Sequence, residues 1–297
     1  MRRRVFLGLL LTVGLVFAQA LAPDHVDISY GPYPANKLDL WLEKSATPTP
    51  LVVFIHGGGF VGGDKRQANA QAVRKSLDAG VSYASINYRF RPQAPIQDIL
   101  RDSARAIQFL RHHAKEYNLD KSKVAAMGGS AGAGTSLWLA FHDDLSDAKN
   151  ADPVLRESTR LVAAGSSAGQ ATYDVVKWPA LLGLPEQALF RFISEPELVS
   201  FYGAKSMEEL RGPDGARVRA DVDMLALITK DDAPVFLAAS SEHDGLQNRG
   251  DVNHTARHSI AIKKRCDDVG VPAVLKVGTT LQAAGSPIDF LLEHLKH

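Results

Sequence analysis

The sequence predicts an α/β protein with a mostly parallel central sheet and helices on both of its faces. Three observations carry this expectation. Short apolar runs of strand length alternate with longer segments of helical periodicity, the pattern of a parallel sheet crossed by helices. The run Leu51–Ile55 is apolar throughout, as a strand buried on both faces must be. Glycines stop the runs where a strand or helix must turn, as at Gly57–Gly59, Gly80 and Gly270.

The elements follow in order. Val26–Tyr30 and Leu38–Leu42 alternate apolar with polar residues and read as strands bordering the sheet. Thr47–Pro50 is a proline-containing turn before the buried strand Leu51–Ile55. A helix over Gln67–Asp78, closed by Gly80, leads to a strand over Val81–Tyr88. Ile96, Leu100, Ala104, Ile107 and Leu110 fall near helical spacing and predict a long amphipathic helix over Ile96–Tyr117. A short strand, Val124–Met127, precedes a helix over Ala131–Phe141, and Leu161–Ala164 is a further strand. Residues 170–232 are the least regular. Helix-like pieces at Glu186–Ile193 and Glu195–Tyr202 suggest an insertion that caps one end of the sheet. The strand Pro234–Ala239, the helix His258–Asp268, the strand Ala273–Val277 and the helix Pro287–Lys296 close the chain. No shift in composition marks a boundary, so residues 21–297 are expected to form one domain.

Composition narrows the function. Among 297 residues, 34 are basic and 33 acidic, a net charge of +1. That balance points to neither a nucleic-acid partner nor an anionic membrane surface. Cys266 is the one cysteine, which excludes an intrachain disulfide. The basic start Arg2–Arg4, the apolar run Val5–Phe17 and the small residues Ala18-Gln19-Ala20 have the order of a secretory signal peptide. The expectation is a leader over residues 1–20, a secreted or periplasmic protein, and no stable membrane association once the leader is removed.

The chemistry concentrates in two glycine-rich stretches. Gly128-Gly129-Ser130-Ala131-Gly132 is a G-x-S-x-G pattern between a predicted strand and a predicted helix. In that context the serine occupies a tight, strained turn that lifts its hydroxyl above the sheet, and glycines leave room for the turn to pack. Ser130 is therefore the candidate nucleophile. His56-Gly57-Gly58-Gly59-Phe60 follows the buried strand. Its glycines let main-chain N–H groups approach a substrate, so Gly58, Gly59 and Ala131 are the candidate oxyanion donors. His56 is expected to hold the loop rather than carry protons. No G-K-[ST] or G-x-G-x-x-G pattern follows, which argues against a phosphate loop.

These residues carry a family resemblance. The stretches FIHGGGFVGGDK, INYRF, FLRHHAKEYNLD and GGSAGAG stand in the order found in α/β-hydrolases of the HGGG type. That branch includes hormone-sensitive-lipase-like esterases and feruloyl- or acetyl-esterase-like serine hydrolases. The resemblance runs from about Leu38 to Phe141 and returns from Pro234 to the C-terminus. It implies an α/β-hydrolase fold and a serine, acid, histidine order along the chain. The acid should follow the strand Pro234–Ala239, where Glu242, Asp244 and Asp251 stand. Asp251 is favoured because the resemblance sets its distance to Gly270, the glycine that ends the next helix; Asp244 fits better from the upstream side. The histidine should lie in the loop Gly278–Gly285, and that loop has none. A serine hydroxyl without a base in reach is a poor nucleophile. His243, His254 and His258 stand near the acid candidates, and His254 is the candidate for a relocated base.

Three readings remain open at this point. The first is a secreted serine hydrolase that cleaves small carboxylic esters through an acyl-enzyme on Ser130. The second is a hydrolase-fold protein impaired in catalysis that binds ligands, favoured by the histidine-free loop 278–285. The third is an arylformamidase-like amide hydrolase, suggested by Gly63-Asp64-Lys65. No cofactor is expected, and no metal. His112 and His113 are adjacent and diverge on a helix, with no second ligand cluster at zinc-like spacing; His254 and His258, at i and i+4 with Asp251 nearby, mimic a metal pair, but the helix start and spacing argue against it. Oligomeric state and the identity of the ester are not legible.

Overall fold

The structure is a computed structural model that describes residues 21–239, 246–278 and 286–296. The expected leader 1–20, the segment with Glu242, His243 and Asp244, most of the loop 278–285, and His297 lie outside the described residues. One eight-stranded sheet runs in the order β1-β2-β4-β3-β5-β6-β7-β8. Its strands are β1 His25–Ser29, β2 Lys37–Trp41, β3 Thr49–Ile55, β4 Ser82–Ile86, β5 Leu119–Gly129, β6 Ala164–Ser167, β7 Val235–Ala239 and β8 Ala273–Val277. β2 pairs antiparallel with β1 and β4, and every later pairing is parallel.

The helices that cover the sheet are α1 Ala70–Asp78, α2 Ile96–His112 and α3 Ala131–Phe141. Between β6 and β7 lies the expected cap, built of short helices: α4 Trp178–Leu182, α5 Leu189–Phe192, α6 Glu195–Tyr202, α7 Met207–Arg211, α8 Pro213–Asp221 and α9 Met224–Leu227. α10 Arg249–His254 and α11 Ala256–Val269 follow β7, and α12 Pro287–Leu295 closes the chain. Successive strand residues point to opposite faces, and the core divides accordingly. Leu51, Val53 and Ile55 pack with α2, α3 and α11, whereas Val52, Tyr83 and Ala125 pack with α1 and α12.

Several boundaries differ from the sequence expectation, for local reasons. The first helix starts at Ala70 because Asn69 caps it, accepting from the N–H groups of Gln71 and Ala72. Residues 65–67 form a separate 3₁₀ turn capped by Asp64. α2 stops at His112, and the chain turns through Asn118 (φ 52°) so that Leu119 can enter β5. β6 runs over Ala164–Ser167, further along than expected. Its Ala-Gly-Ser-Ser sequence lacks the branched and aromatic residues that mark a strand.

One ion cluster, buried at Lys65 and Asp39 and exposed at Asp27, anchors the loop that leaves β3. Lys65 Nζ sits 2.8 Å from Asp39 on β2 and 2.9 Å from Asp27. Burial alone would push the Lys65 pKa down; the bonds from Asp39 and Asp27 reverse this and hold it above its ordinary value. The Lys65 backbone is tied as well, its carbonyl accepting from Ser85 Oγ and its N–H donating to Asn87 Oδ1. Removing the ammonium would leave the buried Asp39 carboxylate short of its counter-charge. Lys65→Met should therefore lower unfolding free energy by about 3 kcal/mol in urea titration. A change under about 1 kcal/mol would mean that the cluster does not anchor the loop.

Candidate active site

The C-terminal ends of β3 and β5 bring the glycine loop and Ser130 to one crevice, the usual ligand position in open α/β sheets. β5 leads into Ser130, whose backbone sits at φ 53° and ψ −118° before α3 begins. A non-glycine residue there stores strain on the order of 1–3 kcal/mol, so its surroundings must hold it. The Ser130 N–H donates to Ser167 O at 2.9 Å, and the Ser130 carbonyl accepts from Gly134 N at 3.0 Å. The flanking glycines are a packing requirement. A Cβ on Gly132 would stand 1.9 Å from the Ile55 carbonyl oxygen, and one on Gly128 would stand 2.4 Å from the Gly132 carbonyl carbon. The start of α3 is thus pressed against the end of β3, and Ser130 is left partly exposed.

The loop His56–Gly59 runs beside this turn. A Cβ on Gly57 would lie 3.4 Å from the Ser130 Cβ. Gly58 adopts φ 115°, and a side chain there would strike the Gly62 carbonyl at 2.0 Å. Gly59 and Ala131 line the pocket over Ser130; Gly58 turns the loop behind them. Among the described residues no hydrogen bond takes up the N–H of Gly59 or Ala131. His56 is fully buried, stacked on Tyr88 with ring centroids 4.4 Å apart, and its Nδ1 donates to Gly57 O. Burial pushes its pKa down, which keeps the ring neutral. These contacts are those of a loop support.

His254 comes to Ser130 from an element the sequence analysis did not foresee. α10 follows β7, and its last residue sets Nε2 3.5 Å from Ser130 Oγ. Nδ1 lies 3.2 Å from Ala168 O. A carbonyl oxygen accepts only, so Nδ1 carries the proton and Nε2 presents its lone pair to the serine. That is the tautomer a general base requires. The 3.5 Å separation is long, as such contacts often are before substrate binds.

Three bonds tie α10 and the start of α11 to the segment leaving β6. Besides the Ala168 contact, Gln170 Nε2 donates to Asn253 O at 2.8 Å, and the Ala171 N–H donates to His258 Nδ1 at 3.2 Å. His258 Nε2 then donates to Val252 O within α10 at 2.9 Å. Ala168, at φ 55°, has its own N–H fixed on Ala238 O at 2.7 Å. Thr255 interrupts the helix between His254 and His258, so the two rings serve different partners.

Asp251 lies on the same helix. Its Oδ2 accepts from the N–H groups of Gln247 (3.0 Å) and Asn248 (3.2 Å), and Asn248 caps it in return, a reciprocal capping box. These bonds fix the start of α10. The N-x-x-D pattern Asn248–Asp251 was the sequence signal that would have revealed this helix.

The pocket over Ser130 encloses a cavity of about 70 Å³. Phe60, Tyr173, Val175, Trp178, Leu198 and Phe201 supply apolar walls, most of them from the cap. The sequence analysis missed Tyr173, whose hydroxyl donates to Ala131 O at 2.8 Å and so ties the cap to the first turn of α3. A Cβ on Gly134 would meet that hydroxyl at 2.1 Å, which accounts for a further glycine beyond the serine motif. Among the described residues no group of three metal-ligating side chains is present.

His258 makes the site sensitive to acid. It is fully buried, and desolvation holds its pKa at about 4, against an ordinary 6.5. The unfolded chain therefore takes up a proton near pH 6.5 that the folded chain refuses. Stability from this group is complete above pH 6.5 and is lost progressively as pH falls toward 4, by at most about 1.4 kcal/mol per pH unit. Urea titrations at stepped pH should show that loss, and His258→Gln should flatten it. An unchanged slope in the variant would remove His258 as its source.

The BD-FAE family model matches residues 38–170. That stretch holds the glycine loop, Ser130 and Ala168, and ends before α10. A probable isoprenylcysteine alpha-carbonyl methylesterase (ICMEL1) of Arabidopsis thaliana is 32% identical over 151 residues, covering 50% of this chain and 32% of that protein. The probable carboxylic ester hydrolase LipM of Mycobacterium tuberculosis is 35% identical over 119 residues, covering 39% of this chain and 28% of that protein. The chain thus spans about a third or less of the length of these curated relatives. Among solved structures, a truncated carbohydrate esterase from gut microbiota superposes with a TM-score of 0.70 at 17% identity, over 92% of this chain and 96% of that one. The butyrate-bound esterase Est2 of Thermogutta terrifontis superposes with a TM-score of 0.63 at 18% identity, over 90% of each chain. The strand order, the serine turn after β5 and these structural likenesses lead to one conclusion: the chain has the α/β-hydrolase fold.

Proposed function

We propose that the protein is a serine hydrolase of carboxylic esters, with Ser130 as nucleophile, His254 as base, and the N–H groups of Gly59 and Ala131 as the oxyanion hole, Gly58 shaping the loop. The observation that carries the reading is the approach of His254 Nε2 to Ser130 Oγ in the tautomer fixed by Ala168 O. Names of the relatives, a methylesterase and a carboxylic ester hydrolase, point the same way.

The steps follow from the geometry. Ser130 Oγ attacks the ester carbonyl carbon as its proton passes to His254 Nε2. Negative charge develops on the carbonyl oxygen beside the unengaged N–H groups of Gly59 and Ala131, where such donors act most strongly. The new imidazolium keeps its Nδ1–H on Ala168 O, which stabilises the charge and prevents the ring from turning away. It then returns the proton to the departing alkoxide, leaving an acyl group on Ser130. Water, activated by the same nitrogen, releases the acid. Asp251 serves this base by capping the helix that carries it. The apolar walls and small cavity suit a short acyl chain.

The reading of a ligand-binding protein without turnover rested on the histidine-free loop 278–285. A base supplied from α10 removes the need for one there. p-Nitrophenyl acetate hydrolysis separates the two. Ser130→Ala and His254→Ala should each lower kcat by roughly 10⁴-fold or more. Turnover by Ser130→Ala equal to that of the wild type would end the serine-esterase reading. Full activity in His254→Ala alone would end the assignment of the base.

A further inference from the structure

The wall of the Ser130 pocket contains a cation whose bonding is incomplete. The Arg91 side chain is 11% exposed, and its Nε has no hydrogen-bond partner among the described residues. Its guanidinium reaches Glu197 Oε1 through one terminal nitrogen at 3.5 Å, the limit of a hydrogen bond. Glu197 is more closely engaged by Arg249, which binds the same oxygen. The guanidinium carbon lies 5.2 Å from the centre of the Phe201 ring. Arg91, Glu197, Phe201 and Arg249 all line the pocket.

Two physical consequences follow. A buried N–H donor without an acceptor costs about 1–3 kcal/mol, more when it belongs to an ion. Arg91 pays this in a pKa held below its ordinary value by burial, which Glu197 offsets only in part. The charge count is also unbalanced. Among the described residues, the charged ones lining the pocket are Arg91, Arg249 and Glu197, two positive and one negative. A neutral acceptor would satisfy Nε but leave the surplus charge. A carboxylate answers both.

We propose that the pocket selects esters whose far end carries a carboxylate, such as monoesters of short dicarboxylic acids, and that this carboxylate binds Arg91 through its Nε–H. The inference rests on ester cleavage at Ser130 and specifies the substrate class of that site. Arg91 binds and orients; it takes no part in proton transfer.

The direct test is calorimetric binding to the Ser130→Ala protein, which holds an ester without cleaving it. Monomethyl glutarate and its uncharged counterpart, dimethyl glutarate, are the probes. The monoester should bind at least about 10-fold more tightly, the usual gain of a charge-assisted hydrogen bond. Adding Arg91→Met should abolish that preference. Equal affinity for the two probes, no measurable binding of the monoester at millimolar concentration, or a preference that survives Arg91→Met would each overturn the proposal. Should Arg91→Met fail to fold, wild-type kcat/KM decides. A p-nitrophenyl ester of monomethyl glutarate, which is uncharged, should then be a poorer substrate than the p-nitrophenyl hemiester of glutarate by a similar factor, and equal values overturn the proposal. Hydrolysis of p-nitrophenyl acetate separates the two layers. Turnover there without discrimination here sinks this inference alone. Absence of turnover there with Arg91-dependent binding here sinks the esterase reading and leaves the carboxylate site standing.

Discussion

A histidine side chain at the end of a short helix is held between a serine hydroxyl and a backbone carbonyl, and the chemistry of the site depends on that arrangement. His254 is only as well placed as α10, and a helix of six residues has little stability of its own. Its position is imposed from outside. The capping box of Asn248 and Asp251 fixes one end. The bonds from Gln170 and Ala171 to Asn253 and His258 fix its side and its exit. Those donors lie just past the end of β6, next to β5 in the sheet, so His254 and Ser130 are referenced to adjacent strands. A neutral, buried His258 is part of this scaffold.

The serine side of the site depends on close packing. The strained Ser130 backbone persists because α3 is driven against the end of β3 at Gly132 and Gly128, where no side chain fits. The same β3 runs directly into the His56–Gly59 loop, and Lys65 ties the far end of that loop to β2 through Asp39. Ser130 and the glycine loop thus share one rigid reference, the central strand pair β3 and β5. The cap supplies walls rather than reacting groups. Tyr173 links it to α3, and its aromatic residues, with Arg91 and Glu197, give the pocket a shape and a charge that the sheet alone would not have.

Much of this was legible in the sequence because it follows from local rules. The fully apolar run at β3, the alternation at β1 and β2, and the periodicity of α2 placed the sheet and its main helices. Ser130 and the glycine loop were recognisable because strain and close approach leave glycine as the one tolerated neighbour. Other features were hidden for physical reasons. β6 is made of small residues that carry no strand signature. α10 is too short to show a period, and Asp251 was weighed as a catalytic acid without its pairing with Asn248 as a helix start. The carbonyl of Ala168 is a backbone atom, which no residue pattern announces. Arg91 looks like any surface arginine until the cap folds over it. His254 was singled out by proximity along the chain to the acid candidates, whereas its actual position is set by bonds to residues 168–171.

The central claim is that His254 activates Ser130. The most direct measurement is the rate at which a fluorophosphonate modifies Ser130, followed by mass spectrometry of the serine peptide in the intact protein and in a His254→Gln variant. A base within reach of the hydroxyl predicts modification confined to Ser130 and a rate at least about 100-fold lower in the variant. Equal rates in the two proteins, or modification at some other residue, would contradict the account.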